Sequence, residues 1–287
     1  MSTNLINSGT GGRTNLINTG IGGSISFIKL PPPSLVKNGL VVQLETANAS
    51  SYPGSGTTWY DISGNGYNAS MTNGTVGYTA GSPGYFSFAS TNPPYFLGNS
   101  TLADPIIPGT GGITIVSVVS ITDLSQRSLL FSKYIYPAVL NSVPSGYDFE
   151  VGTLSGLWTN TGRWFLQGSN TNAGIDRRGN TSPFSQNQIY LIACTYDRPT
   201  STAVMYYNNS VLSTNDGSGN QSGIDTLWPN GAYGYAIGTV GPAWDGATYG
   251  YVGAFMHMYA TFVYNRALSL SEIQQNYTYL KLIYGIS

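Results

Sequence analysis

The segment Phe262-Val263-Tyr264-Asn265-Arg266-Ala267-Leu268-Ser269-Leu270-Ser271-Glu272-Ile273 constrains the fold of this chain more than any other. Its opening residues read as the end of a strand. Ser269 and Glu272 then have the spacing of a capping box, in which each side chain accepts the other residue's backbone N–H. A helix is therefore expected over Leu270 to Leu282, with Ile273, Tyr277 and Leu280 at core spacing. No other segment reads convincingly as a helix. The rest of the chain offers short apolar runs separated by Gly, Asn and Pro: Leu40–Glu45, Tyr85–Phe88, Ile113–Ile121, Tyr147–Val151, Trp164–Gln167, Ile189–Tyr196, Ala203–Asn208, Tyr233–Gly238 and Val252–Tyr264. Asn208-Asn209 before Val211-Leu212 is a hairpin signal. Many strands and one terminal helix predict an all-β, two-sheet antiparallel jelly roll with a C-terminal helix. The alternation of Val252, Ala254, Met256, Met258, Ala260 and Phe262 assigns these six side chains to the core between the sheets.

A second segment, Trp59-Tyr60-Asp61-Ile62-Ser63-Gly64-Asn65-Gly66-Tyr67-Asn68, reads as a strand end followed by a glycine-containing turn, with Asp61 accepting the turn's N–H groups. Gly39-Leu40-Val41-Val42 precedes it. Together with the Y-N-R-A-L-S-x-x-E-I junction, these residues resemble the laminin-G-like and concanavalin-A-like lectin and glucanase superfamily over roughly residues 38 to 286. The resemblance implies a concanavalin-A-like sandwich of the kind found in phage and other virus structural proteins. It implies no particular activity, because such folds host many.

Composition narrows the partners. Charged residues are 8% of the 287, and the net charge is −1, against about 25% charged residues in ordinary soluble domains. No basic cluster exceeds Arg177-Arg178, so nucleic-acid binding is not expected. A single cysteine, Cys194, excludes an intrachain disulfide and leans toward folding in a reducing compartment. Neither a secretion signal nor a run of about 18 apolar residues occurs. An adhesin-like composition without an export signal suits a protein that leaves the cell inside an assembled virus particle.

Residues 1–37 form a separate arm, and residues 38–287 the jelly roll. Thr3-Asn4-Leu5-Ile6-Asn7 recurs as Thr14-Asn15-Leu16-Ile17-Asn18, eleven residues later. A strand over Ser24 to Leu30 and a Pro31-Pro32-Pro33 spacer follow. Such units cannot bury their own apolar faces, so Leu5, Ile6, Leu16, Ile17 and Phe27 are expected to dock on other chains of an assembly. A tail without order is the alternative.

Chemistry-bearing residues are few. Glycosidases of this superfamily resemble one another in an E-x-D-x-x-E strand. Here Asp148 and Glu150 share a strand face roughly 6.5–7 Å apart, a spacing within the range glycosidases use. Thr153 stands where the third acid would be, so the carry-over fails and no catalytic residue is assigned. A polar strand face paired with Arg163 or Lys133 is expected instead. His257, the only histidine, is read as a hydrogen-bonded strand residue, and Cys194 as a buried small hydrophobe. Trp59 and Trp164 are assigned to the core. Metal-binding residues are assigned nowhere. Asp61, Asp197, Asp216, Asp225 and Asp245 are scattered, so a calcium site would need backbone carbonyls to complete it. Sugar binding needs an aromatic plate beside hydrogen-bonding groups. Trp228, Asn230 and Tyr233 in one loop, and Trp244, Asp245 and Tyr249 in another, offer both.

Taken together, the sequence points to a non-enzymatic virion structural protein, a capsid decoration, neck, tail or fibre component. It would display a lectin-like domain and contact other virion proteins, copies of itself and a cell-surface glycan. A glycan-binding adhesion module at a cell surface and a polysaccharide-degrading enzyme are the alternatives.

Overall fold

The computed structural model describes residues 14–17, 26–29, 32–90, 94–98, 111–135, 145–154, 158–167, 174–179, 183–200, 202–212, 214–217, 234–239 and 253–287. Near the N-terminus, β1 (Thr14–Ile17) and β2 (Ser26–Lys29) form a two-stranded antiparallel sheet of their own, with Leu16 opposite Phe27. They pair with no strand of the larger sheets among the described residues. The second repeat unit thus pairs with the strand expected over residues 24–30, and Leu5 and Ile6 lie outside the described residues.

The sandwich begins with β3 (Leu40–Glu45), β4 (Thr58–Trp59), β5 (Ala69–Thr72), β6 (Gly77–Thr79), β7 (Tyr85–Ser90) and β8 (Tyr95–Gly98). The long strands β9 (Ile113–Ile121), β10 (Arg127–Ile135), β11 (Ser145–Leu154) and β12 (Trp158–Gln167) follow, then β13 (Gly174–Gly179). Next come β14 (Tyr190–Asp197), β15 (Thr202–Tyr207), β16 (Ser210–Val211), β17 (Thr214–Gly217), β18 (Ala236–Ile237) and β19 (Ala254–Tyr264). Helix α1 (Leu270–Tyr284) closes the chain.

Two antiparallel sheets result. One has nine strands in the order β17-β13-β12-β11-β10-β18-β8-β5-β4. The other has eight, in the order β16-β15-β14-β9-β19-β7-β6, with β3 added alongside β19. Trp59, Phe96, Phe131 and Phe149 from the nine-stranded sheet meet Phe86, Ile115, Tyr190 and Met256 from the eight-stranded one in a single core. A second cluster lies between the outer face of the eight-stranded sheet and α1. There Val116, Val118, Leu191 and Phe262 pack under Ile273, Leu280 and Tyr284. Strand β9 is covered on both faces, which is why Ile-Thr-Ile-Val-Ser-Val-Val-Ser-Ile reads as a nearly unbroken apolar run.

The central strand β19 departs from simple alternation. Its register with β9 shifts between Met258 and Ala260, so Tyr259 is an extra residue. Before the bulge Ala254, Met256 and Met258 face the inter-sheet core; after it Val263 does, while Ala260, Phe262 and Tyr264 face the helix. The assignment of Ala260 and Phe262 to the inter-sheet core is thereby corrected, and Val252 lies outside the described residues. The carbonyl of Tyr259 is not left unpaired: Thr46 reaches it through both its N–H (2.9 Å) and its hydroxyl (2.8 Å).

Helix α1 starts as expected. The Ser269 hydroxyl accepts the Glu272 N–H, and a Glu272 carboxylate oxygen accepts the Ser269 N–H at 2.9 Å. Gly285 ends the helix in the left-handed region at φ 65°. The expected core positions Ile273 and Leu280 are buried, and Tyr277 is half-buried. Asn276 is also fully buried, which helical periodicity did not flag. Its Oδ1 accepts the Val36 N–H at 2.8 Å and its Nδ2 donates to the Tyr264 hydroxyl at 3.0 Å. That pairing fixes Leu35 and Val36 against the helix cluster. Ser269→Ala should lower stability by about 1 kcal/mol; an unchanged denaturant midpoint would count against the cap.

Candidate functional site

The Trp59–Asn68 motif is a clamp for the fold. Trp59 is fully buried, packed against Phe86 (4.8 Å between ring centroids) and Phe96 (5.3 Å). Two residues on, Asp61 leaves the strand and collects four donors. Its Oδ1 accepts the Gln43 N–H (2.8 Å) and the Ser63 N–H (2.9 Å); its Oδ2 accepts the Ser63 hydroxyl (2.8 Å) and the Tyr67 N–H (2.9 Å). Asn68 Oδ1 accepts the Asp61 N–H at 2.8 Å, and Asn65 Nδ2 donates to the Val41 carbonyl at 3.2 Å. The motif stitches its turn to β3. A carboxylate has about four lone-pair sites, so Asp61 keeps none for a calcium ion. Among the described residues no three His, Cys, Asp or Glu side chains converge on a point that could hold a metal.

The two acids on β11 lie on one face, as alternation requires. Glu150 is fully buried and Asp148 nearly so. Glu150 accepts from Arg127 Nε through one oxygen and from Arg163 Nη1 at 2.9 Å through the other. Arg163, anticipated from the sequence, stands directly opposite Glu150 on β12. Arg127 begins β10, a strand missing from the sequence reading, so its role was not foreseen. Lys133 stands opposite Tyr147, whose ring is in the inter-sheet core, so it belongs to the other side of the sheet from Asp148 and Glu150. Burial lowers its pKa to about 8.

Asp148 accepts from the Ser132 hydroxyl on the adjacent strand. Burial, reinforced by the negative charge of Glu150, raises its pKa to about 6; Arg127, Ser132 and Arg163 pull the other way. The sign of the linkage follows. A carboxyl whose folded pKa is raised is at home when protonated, so its contribution is intact below about pH 4 and is lost as pH rises through about 6. Asp148→Asn should therefore flatten the stability profile between pH 4 and 7 and gain on the order of 1–3 kcal/mol at pH 7. Urea midpoints across that range test it. A variant that loses stability at pH 7 would show that the ionised carboxylate is needed.

Thr153, at the third position of the absent acid pattern, donates its hydroxyl to the Leu124 carbonyl at 2.7 Å. Cys194 is fully buried, and burial pushes its thiol pKa well up, against nucleophilic use. His257 makes no side-chain hydrogen bond among the described residues. It stacks on Tyr85 with ring centroids 4.1 Å apart. The six loop residues expected to meet sugar, Trp228, Asn230, Tyr233, Trp244, Asp245 and Tyr249, lie outside the described residues. So does the side chain of Trp164.

Solved structures similar to the whole sandwich include the receptor-binding domain of botulinum neurotoxin C/D mosaic serotype. It is 13% identical with a TM-score of 0.56, and covers 84% of this chain and 51% of that one. A botulinum neurotoxin type C structure, from work on cell entry dependent upon interaction with two ganglioside molecules, is 13% identical with a TM-score of 0.55, over 85% and 52% of the two chains. A Trypanosoma rangeli sialidase mutant displaying trans-sialidase activity is 15% identical with a TM-score of 0.51, over 85% and 33%. The chain thus spans about half the length of the toxin chains and a third of the sialidase. At these identities the likeness defines a class of fold, the lectin-like β-sandwich. No protein-family model matches the chain, and no curated protein matches it significantly.

Proposed function

We propose that this protein is a non-enzymatic, glycan-binding module of the lectin-like sandwich class. The observation that carries this reading is the state of its acids: the strand that could present two carboxylates to a sugar holds one between two arginines and buries both. The solved relatives of the sandwich include toxin domains described as receptor-binding and one toxin whose entry depends on gangliosides. Trp228, followed in the sequence by Pro229, and Trp244, followed by Asp245-Gly246, are the proposed stacking plates, with Asn230, Tyr233, Asp245 and Tyr249 as the proposed hydrogen-bonding groups. Replacing either Trp with Ala should weaken glycan retention by about 1–3 kcal/mol without altering folding. Glycan-array binding by the intact chain, together with a reducing-sugar assay, separates module from enzyme. Released sugar, or an intact chain that retains no glycan, defeats the proposal.

The finer reading places the module on a virus particle as a repeated component anchored by its N-terminal arm. Its support is the low charge, the duplicated Asn-Leu-Ile-Asn unit and the pairing of β1 with β2 in a two-stranded sheet of their own. An isolated two-stranded hairpin is marginal in water, so a partner surface supplies what it lacks. Deleting residues 1–33 should leave a folded domain that no longer joins the particle, read by mass spectrometry of purified particles. Normal incorporation of the truncated chain would refute the anchoring role.

A further inference from the structure

Beside the start of α1 lies a groove of about 450 Å³ that none of the candidate residues above explains. Its floor is the outer face of the β14–β15 hairpin, where Thr195 pairs with Val204 and Asp197 with Thr202. Its wall is the turn from β19 into α1, through Arg266, Ala267, Leu268 and Ser269. That wall is rigid. The Thr114 hydroxyl donates to the Arg266 carbonyl and accepts the Leu268 N–H, both at 2.8 Å. The Arg266 guanidinium holds both oxygens of Glu272 and donates through Nε to the Asn38 carbonyl at 3.0 Å. Glu272, whose pKa this arginine lowers to about 2, stays ionised and balances that charge.

The chemistry of the lining is specific. Asp197 Oδ2 accepts the Thr200 hydroxyl at 2.5 Å, and no donor among the described residues reaches Oδ1. With Arg266 compensated by Glu272, Asp197 is the one lining charge without a counter-ion among the described residues. Thr200, Thr202 and Ser269 also line the groove, and Val204 and Ala267 add apolar groups to it. A carboxylate acceptor, several hydroxyls and an apolar flank suit the hydroxyl edge and C–H face of a sugar ring. The same carboxylate repels an anion. The volume falls within the roughly 300–1,000 Å³ of small-molecule sites. Because the wall is held by its own hydrogen bonds, binding would need little reorganisation.

We infer that this groove is a subsite for a neutral saccharide, with Asp197 Oδ1 accepting from a sugar hydroxyl. The inference rests on the glycan-binding reading proposed above and assigns that reading a second location and a charge preference. The test uses the full chain on arrays of neutral and sialylated glycans, beside Asp197→Asn, Thr202→Trp and the Trp228→Ala/Trp244→Ala double variant, with thermal midpoints as a folding check. The expected result is preference for neutral glycans, about tenfold weaker binding by Asp197→Asn and loss of a glycan class in Thr202→Trp, whose indole would fill the groove. Full retention by folded Thr202→Trp and Asp197→Asn, with loss only in the double variant, overturns the groove and leaves the glycan reading standing. Preference for sialylated glycans overturns the assigned chemistry. An intact chain that binds no glycan overturns both. Should Thr202→Trp fail to fold, Asp197→Asn alone decides.

Discussion

Glu150→Ala is expected to lower the stability of the domain by about 3–5 kcal/mol, the range for removing one partner of a buried ion pair. The residue is fully buried, and its two oxygens hold Arg127 and Arg163, whose side chains are 18% and 14% exposed. Without the carboxylate, the guanidinium groups on β10 and β12, the two strands that flank β11, lose the anion they share, and Asp148, whose pKa both of them lower, is left as the nearby acid. The residual exposure of the two arginines lets water solvate them in part, which places the loss nearer the lower figure. Glu150→Gln should cost less, because an amide oxygen still accepts a hydrogen bond, though it supplies no charge. Chemical denaturation of the two variants at pH 7 measures the difference. The result also bears on function. A variant as stable as the parent that had lost a sugar-cleaving activity would mark Glu150 as catalytic and overturn the non-enzymatic reading.

What made this network hard to read in the sequence is register. That Asp148 and Glu150 share a face follows from the two-residue period of any strand. That Arg163 stands opposite Glu150 depends on how β11 and β12 pair, and Arg127 depends on recognising β10 at all. The β10 sequence Arg-Ser-Leu-Leu-Phe-Ser-Lys-Tyr-Ile carries a bulge after Leu129, so its alternation is broken within the strand. The same physics hid the face switch in β19: Met-Tyr-Ala-Thr-Phe-Val-Tyr is apolar enough to suit either face, and only the pairing with β9 shows that Tyr259 is the extra residue. Strands such as β5, β6 and β8 were missed because they are three or four residues long and run between turns. By contrast, features set by local chemistry were legible. Leu40–Glu45 and Ile113–Ile121 match β3 and β9 end for end, the Asn208-Asn209 turn joins β15 to β16, and Ser269 caps α1.

Asp61 belongs to the legible group, and its replacement is the second large effect expected. The carboxylate accepts three backbone N–H groups and one hydroxyl, from Gln43 on β3 and from Ser63 and Tyr67 in the turn. Asp61→Ala deprives all four donors of their acceptor at once. Hydrogen bonds to a charged group are worth about 1.5–3 kcal/mol each, but the residue is only half-buried, so water replaces some of them. A loss of about 3 kcal/mol is therefore expected, well short of the sum of four. Asp61→Asn separates the parts. Its carbonyl can keep the Gln43 and Ser63 N–H groups, while its amide meets the Tyr67 N–H as a second donor, so about half the loss should remain. Because Trp59 lies two residues away in the core, Asp61→Ala should also loosen the indole, seen as increased quenching of tryptophan fluorescence by a neutral quencher. Adding calcium or a chelator should leave the denaturation midpoints of parent and Asp61→Asn equally unmoved, since every lone pair of this carboxylate already has a donor. A calcium-dependent rise in the parent's midpoint that Asp61→Asn abolishes would show that the turn opens to take a metal, and would displace the clamp described for this motif.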